Sequence, residues 1–421
     1  MFKTQLDAIN WLYGFSVNKK DRNLNHLHEI LDKIDNPHLR LKTIHVAGTN
    51  GKGSTVSFMR EAFMQSGYKV ATFTSPFITC FGERMSINNE PMTEDKLIFY
   101  TNKLHKLIEN NSLNFTSFDI ITIIAFMYFS DEEVDIAIIE TGIGGRLDST
   151  NIIQPIATAI TNVGHDHAEI LGDTQLKRAL EKLGIVKHNI PLFTTETDNE
   201  LLKTFETITN KKESILFTPL KDSKLHSITL CGTLFSYKTY ENILISMQGE
   251  HQFKNATLAI ALLDYLKSTN IFEKLKPEYL IKSKWQGRFE YMQKEPPIII
   301  DGAHNKEGIE ALVSTIETLY PAKNIIVMFS AIATKDAQSM VDELKTISKR
   351  LILTQGRHPL SIKPSELWAV NKDADYFEDF KQAIEETREA LTNKDVLIIC
   401  GSLYFVSDVR EFLIQGGINH G

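Results

Sequence analysis

Short runs of β-branched and aliphatic residues recur along the chain, separated by longer stretches with helix-like spacing of apolar positions. Thr43 to Ala47, Lys69 to Phe73, Val134 to Glu140, Ile156 to Thr161 and Ile190 to Thr194 read as strands. Their apolar character is nearly continuous rather than alternating, which suits a parallel sheet covered on both faces. The longest apolar run, Ile120 to Phe129, is far shorter than the ~20 residues a membrane span needs and predicts a buried helix. Between residues 214 and 248 the pattern becomes shorter and more alternating (LHSITL, ILISM), predicting a small antiparallel sheet added to the first domain. A helix from about His251 to Ser268 follows. After Gln293-Lys294-Glu295-Pro296-Pro297 the rhythm restarts, with strands at Ile298–Ile300, Ile325–Phe329, Leu351–Thr354 and Val396–Cys400 and helices between them.

The first strand ends in Gly48-Thr49-Asn50-Gly51-Lys52-Gly53-Ser54, and Thr55 to Gln65 continues as a helix. Such a turn aims several backbone N–H groups at one point in front of a helix N-terminus, while its glycines let the main chain approach phosphate oxygens. Lys52 adds a positive point charge. The motif is a variant, because Val46 stands where a P-loop has its first glycine and Gly53 separates Lys52 from Ser54. The chain therefore predicts an α/β protein. A P-loop parallel-sheet ATPase domain with a small added β-sheet occupies residues 1–287, and a hinge or linker residues 288–297. A second doubly wound, Rossmann-like α/β domain occupies residues 298–421.

Composition narrows the partners. The 421 residues are 42% hydrophobic and 24% charged, ordinary values for a globular protein. A formal net charge of -7 argues against broad nucleic-acid binding, which needs a basic surface. Cys80, Cys231 and Cys400 are far apart and form no CxxC pair, so neither a zinc site nor a disulfide framework is expected. Polar residues interrupt the apolar N-terminus, which reads as an amphipathic helix rather than a signal sequence. A cytoplasmic monomer without membrane attachment is the expectation.

Three further segments carry candidate chemistry. Glu140 ends an apolar strand and precedes Thr141-Gly142-Ile143-Gly144-Gly145; beside a phosphate loop, such a carboxylate holds Mg²⁺ directly or through water, whereas alone it would read as a cap. His165-Asp166-His167 follows the strand at Ile156. No second His or Cys cluster completes a zinc set, and imidazole is an unusual partner for a hard cation, so a polar loop and a metal contact both stand. Asp301-Gly302-Ala303-His304-Asn305 ends the first strand of the second domain, where doubly wound sheets bind ligands; Asn305 also suits a helix N-cap. Arg288, near the domain boundary, has the chemistry to reach a transferred phosphate.

Together HVAGTNGKGST, IIETGIGGRLDSTN, NVGHDHAEILGDT, EKLGIVK, GEHQFKNATLAI, QGRFE, DGAHN and GSLYFVSDVR resemble, in order and over essentially the whole chain, the folylpolyglutamate synthase family of the Mur ligase superfamily, including its dihydrofolate synthase members. The resemblance implies that Gly48, Thr49, Asn50, Gly51, Lys52, Gly53, Ser54 and Thr55 hold ATP. It further implies that Ser75, Glu140 and His167 ligate magnesium and that Lys182 is carbamylated, acting as a carboxylate near the metal. Asn255, Arg288, Asp301 and His304 match positions that bind ATP or organise its phosphates. Phe118 and Asp148 fall where a pteroate-type substrate binds, and the second domain would bind L-glutamate. The chain departs from the family pattern at Leu183 (usually alanine), at Lys306 (usually proline) and through Ala331-Ile332-Ala333-Thr334-Lys335-Asp336.

The implied reaction is ATP-dependent amide formation. A folate or dihydropteroate carboxylate attacks the γ-phosphoryl of ATP, and glutamate's amine then attacks the acyl phosphate. Domain closure is expected to protect that intermediate from water. A P-loop switch or hydrolase would release phosphate without an organic acceptor. A cell-wall Mur ligase would carry a UDP-recognising N-terminal domain, and only about 40 residues precede the P-loop strand.

Overall fold

Residues 1–15, 23–109 and 114–416 are described by a computed structural model of the chain. Two compact units divide it: Met1–Lys224 with Ser236–Ile243 and Lys254–Ser283, and Leu225–Phe235 with Leu244–Phe253 and Lys284–Gly421.

The first unit is built on eight strands: β1 (Thr43–Ala47), β2 (Val70–Phe73), β3 (Met85–Ile87), β4 (Glu90–Pro91), β5 (Ile136–Glu140), β6 (Ala157–Ile160), β7 (Leu192–Thr194) and β8 (Leu216–Phe217). Their order is β4-β3-β2-β5-β1-β6-β7-β8. From β2 to β8 all neighbours are parallel, and β3 and β4 complete one edge antiparallel. Every residue of β1, β2, β5 and β6 is buried, as their unbroken apolar runs require when helices cover both faces.

Ala71, Phe73, Ala137 and Ile139 join one core cluster, with the helix Ser117–Asp131 as its main contributor. That helix is apolar all round from Ile120 to Phe129 and is buried along that length, so the run expected to be a buried helix is one. A second cluster gathers Ala47, Ile160, Val163, Ala179, Leu183 and Phe205. Leu183 therefore packs into apolar core. Among the described residues, no helix is long and apolar enough to cross a membrane.

β9 (Ser223–Thr229), β10 (Gly232–Tyr237) and β11 (Tyr240–Ile245) form a separate three-stranded sheet in chain order. The sequence assigned this stretch wholly to the first domain, yet residues 225–235 and 244–253 group with the second unit. Local bonds account for the division. Tyr240 donates to Asp264 Oδ1 at 2.9 Å within the first unit, whereas Thr233 Oγ1 donates to the Met247 carbonyl at 3.0 Å within the second.

The second unit carries β12 (Glu290–Lys294), β13 (Pro297–Ile300), β14 (Asn324–Phe329), β15 (Ser348–Leu353), β16 (Asp375–Tyr376) and β17 (Asp395–Cys400), in the order β12-β13-β17-β14-β15-β16. All neighbours are parallel except β12 with β13. Glu290–Lys294 thus lies inside the stretch read from sequence as a linker. Charged and amide side chains give it no strand-like apolar run; it forms because β13 offers a free edge, and only Met292 is buried.

Candidate active site

Gly48–Ser54 leaves the carboxyl end of β1 and runs into the helix Lys52–Gln65. Gly51 is the helix N-cap at φ 84°, and a Cβ there would lie 2.2 Å from Asn255 Oδ1, so both backbone and space demand glycine. Lys52 Nζ donates to the carbonyls of Gly48 and Thr49, each at 3.2 Å, and lies 3.7 Å from Glu140 Oε1. Thr55 Oγ1 donates to the Gly51 carbonyl at 2.9 Å, and Ser54 beside it is buried.

The strand order explains how distant residues meet. β2, β5, β1 and β6 are parallel neighbours, so the segments following them emerge along one edge of the sheet. Ser75 follows β2, Glu140 ends β5, the glycine loop follows β1, and His165-Asp166-His167 follows β6. Glu140 pairs in register with Val46, two residues before the loop. His167 is the left-handed N-cap of the short helix Ala168–Leu171, its ring 3.8 Å from both Asp166 Oδ2 and Glu169 Oε1, while His165 is exposed.

Lys182, near the end of the helix Gln175–Leu183, is buried. Burial above all, with the charges of Lys52 and Arg178 adding and Asp166 opposing, pushes its ammonium down to about 7. At neutral pH a large fraction is free amine.

Asp148 is almost fully buried and organises the loop after β5. One carboxylate oxygen accepts from the Thr150 N–H and hydroxyl, and the other accepts from the Ile143 N–H at 2.9 Å. Burial pushes its carboxyl up, opposed by these bonds. The Thr150 hydroxyl in turn accepts from His45 Nε2 on β1 at 2.8 Å. Phe118 presents its half-buried ring against Gly142, and its centroid lies 5.6 Å from that of Phe73.

Within the second unit, Arg288, Asp301 and His304 form their own cluster at the end of β13. Asp301 accepts from the N–H groups of Phe289 and Ala303, both at 2.8 Å. Arg288 Nη1 donates to the Gly287 carbonyl at 3.1 Å, and His304 Nδ1 pairs with the Gly302 carbonyl at 2.8 Å. Asn305 is the N-cap of the helix Lys306–Leu319, accepting from the Gly308 N–H, so Lys306 sits at the first helical position.

Comparison with known proteins decides the family. Residues 46–263 match the Mur ligase middle domain and residues 287–403 the Mur ligase glutamate ligase domain. The dihydrofolate synthase/folylpolyglutamate synthase of Bacillus subtilis (strain 168) is 35% identical, with 98% of this chain and 100% of that protein aligned. The chain belongs to the folylpolyglutamate synthase family of the Mur ligases. It is an ATP-dependent amide ligase that joins glutamate to folates. A crystal structure of folylpolyglutamate synthase from Thermotoga maritima superposes with a TM-score of 0.84 at 31% identity, covering 99% of this chain and 98% of that one. An FPGS–AMPPCP complex gives 0.83 at 26% identity, covering 98% and 100%.

Several residues that shape this ligase's phosphate loop went unnoticed in the sequence. Asn162 Oδ1 accepts from the N–H groups of both Thr49 and Asn50, at 3.2 and 3.0 Å. Thr161 Oγ1 donates to the Asn50 carbonyl at 2.6 Å, and Thr49 Oγ1 accepts from the Gly164 N–H at 2.9 Å. Asn162 and Gly164 lie within the NVGHDH string, but nothing local marks them as supports of a loop more than a hundred residues away. A buried carboxylate, Glu140, and the Ser75 hydroxyl follow neighbouring parallel strands at one sheet edge, and such oxygen donors fit a hard cation. Mg²⁺ prefers such sparse oxygen donors, keeping waters and phosphate oxygens for its remaining positions.

Proposed function

We propose that the ligase acts on both reduced folates and dihydropteroate through an acyl phosphate. The Lys52–Glu140 approach at the phosphate loop carries the reading, since it sets a phosphate-binding cation beside a buried carboxylate. Acceptance of dihydropteroate is supported by the full-length similarity to the B. subtilis protein, whose name joins both activities.

The acceptor carboxylate attacks the γ-phosphorus of ATP, displacing ADP and forming a mixed anhydride. Glutamate's amine then attacks the acyl carbon and phosphate leaves. Loop N–H groups and Lys52 bind the phosphates and offset charge as it moves to the β–γ bridge oxygen. Glu140, Ser75 and His167 would hold magnesium, which when bound supplies further charge neutralisation on the phosphates. Asn255 lies against Gly51 of the phosphate loop, and in this reading Asn255, Arg288, Asp301 and His304 bind ATP or organise its phosphates. The half-exposed Phe118 ring is an apolar platform for a pterin, and Asp148 shapes the loop beside it rather than offering a free carboxylate.

Lys182 carries a carbamate in this reading, supported by its burial and its substantial free-amine fraction at neutral pH. A cytoplasmic monomer is supported by three free cysteines and by small-molecule substrates that need no second chain.

The test is turnover of ATP with glutamate and each acceptor in turn. Rapid ADP formation should require glutamate together with either tetrahydrofolate or dihydropteroate. ADP release that ignores both acceptors would defeat the ligase reading, and turnover with tetrahydrofolate alone would restrict it to folates.

A further inference from the structure

Arg178 is the least expected buried side chain of the first unit. It has no solvent exposure, and its Nε donates to the Gly164 carbonyl at 2.8 Å while Nη1 donates to the Gly172 carbonyl at 3.1 Å. Nη2 is buried and has no acceptor among the described residues. The two bonds go to neutral carbonyls, so among the described residues the guanidinium has no ion pair and no acceptor for one nitrogen. Such a group is costly to bury unless an anion completes it.

Lys182 lies four residues further along the same helix, the spacing at which helical side chains share a face. The charges of Lys52 and Arg178 both disfavour the ammonium form of Lys182, with Asp166 opposing them. Two cations beside one buried amine, outnumbering the single carboxylate of Asp166, make an arrangement that improves when the amine becomes an anion.

We propose that Arg178 is a positioning residue for the Lys182 carbamate, its Nη2 donating to a carbamate oxygen and holding the group in one orientation. The inference rests on the reading that Lys182 is carbamylated. In the modification the lone pair of the neutral Nζ attacks the carbon of dissolved carbon dioxide. An N–C bond forms, one C–O π pair moves onto oxygen, and an N–H proton leaves to solvent. The product carries one negative charge, which the planar guanidinium can meet with a charge-assisted hydrogen bond. Nε and Nη1 meanwhile fix the guanidinium by tying it to both ends of the segment 164–172, which carries His167.

The experiment is ¹³C NMR of the full chain equilibrated with [¹³C]bicarbonate, titrated in dissolved carbon dioxide. The unaltered protein should show a carbamate resonance that Lys182→Ala lacks. Arg178→Met, and less severely Arg178→Lys, should need on the order of tenfold more carbon dioxide for half-occupancy. A purely structural Arg178 would lower melting temperature and leave half-occupancy unchanged, and that result overturns the proposal. Should Arg178→Met not fold, [¹⁵N]arginine labelling of the unaltered protein decides: a guanidinium-to-carbamate ¹⁵N–¹³C contact supports the proposal, and a visible carbamate without one rejects it. Absence of any Lys182-dependent carbamate would instead refute the carbamylation reading itself.

Discussion

A single amide side chain sets the shape of the phosphate loop. Asn162 Oδ1 accepts from two N–H groups of the Gly48–Ser54 loop, and the Thr49 N–H also reaches the Asn162 carbonyl at 3.1 Å. Asn162→Ala should raise the dissociation constant for an ATP analogue about fivefold, because the Asn50 N–H loses its bond to Oδ1, worth about 1 kcal/mol, while the Thr49 N–H keeps the Asn162 carbonyl at 3.1 Å. Calorimetric titration with AMPPCP reads this directly, and unchanged affinity would reject the supporting role. Gly51→Ala tests the opposite face of the loop. Its Cβ meets Asn255 at 2.2 Å in a left-handed conformation that alone costs roughly 1–2 kcal/mol, so nucleotide affinity should fall while the second unit stays folded. Lys52 and Glu140 were legible at this scale because glycine spacing and a carboxylate at a strand end are local signals. Arg178 was not. In LKRALEK it reads as one more solvated charge on an amphipathic helix, and its bonds to the carbonyls of Gly164 and Gly172 are what the sequence does not display.

At the scale of elements, the helix Ser117–Asp131 depends on its first turn. Thr116 and Asp119 form a reciprocal capping box, and Asp119 also accepts from Ser149 Oγ at 2.6 Å and pairs with His26 Nε2 at 3.1 Å. Burial pushes the Asp119 carboxyl up, but the bonds from His26, Ser149 and Thr116 outweigh it and hold the group below its ordinary value. The cap therefore connects the helix that carries Phe118 to the loop that Asp148 organises. Thr116→Ala should cost about 1 kcal/mol and lower the melting temperature by a few degrees. If Phe118 receives the pterin, the same change should raise the folate KM more than the ATP KM; equal effects would separate the cap from substrate binding. Helix and strand positions were readable here from apolar runs. β12 was not, because a strand that forms on an available edge need not be apolar.

For the whole molecule, two buried histidines of the first unit set an acid limit. Burial, with Lys187 adding, pushes His45 down to about 3, and burial, with His28 adding and Asp32 opposing, pushes His38 down to about 4. Both titrate near 6.5 in an unfolded chain, so that chain binds protons which the fold refuses. Their contribution is fully present above about pH 6.5 and is lost as pH falls towards 4 and 3. For His45 alone the loss approaches roughly 5 kcal/mol at its full extent. Melting temperature should therefore drop across this window, with amides of the first unit losing hydrogen-exchange protection before those of the second. His45→Gln should flatten the drop. A melting temperature constant from pH 6.5 to 4 would show that these imidazoles are not held neutral.

The position of β1 has a consequence for synthesis. It lies between β5 and β6, yet leaves the ribosome with β1's partners still ninety or more residues from being made. Until Ile160 emerges, the strand that will carry the glycine loop has exposed edges on a nascent polypeptide. The sheet that presents the glycine loop can therefore close around β1 only after residue 160 has been made.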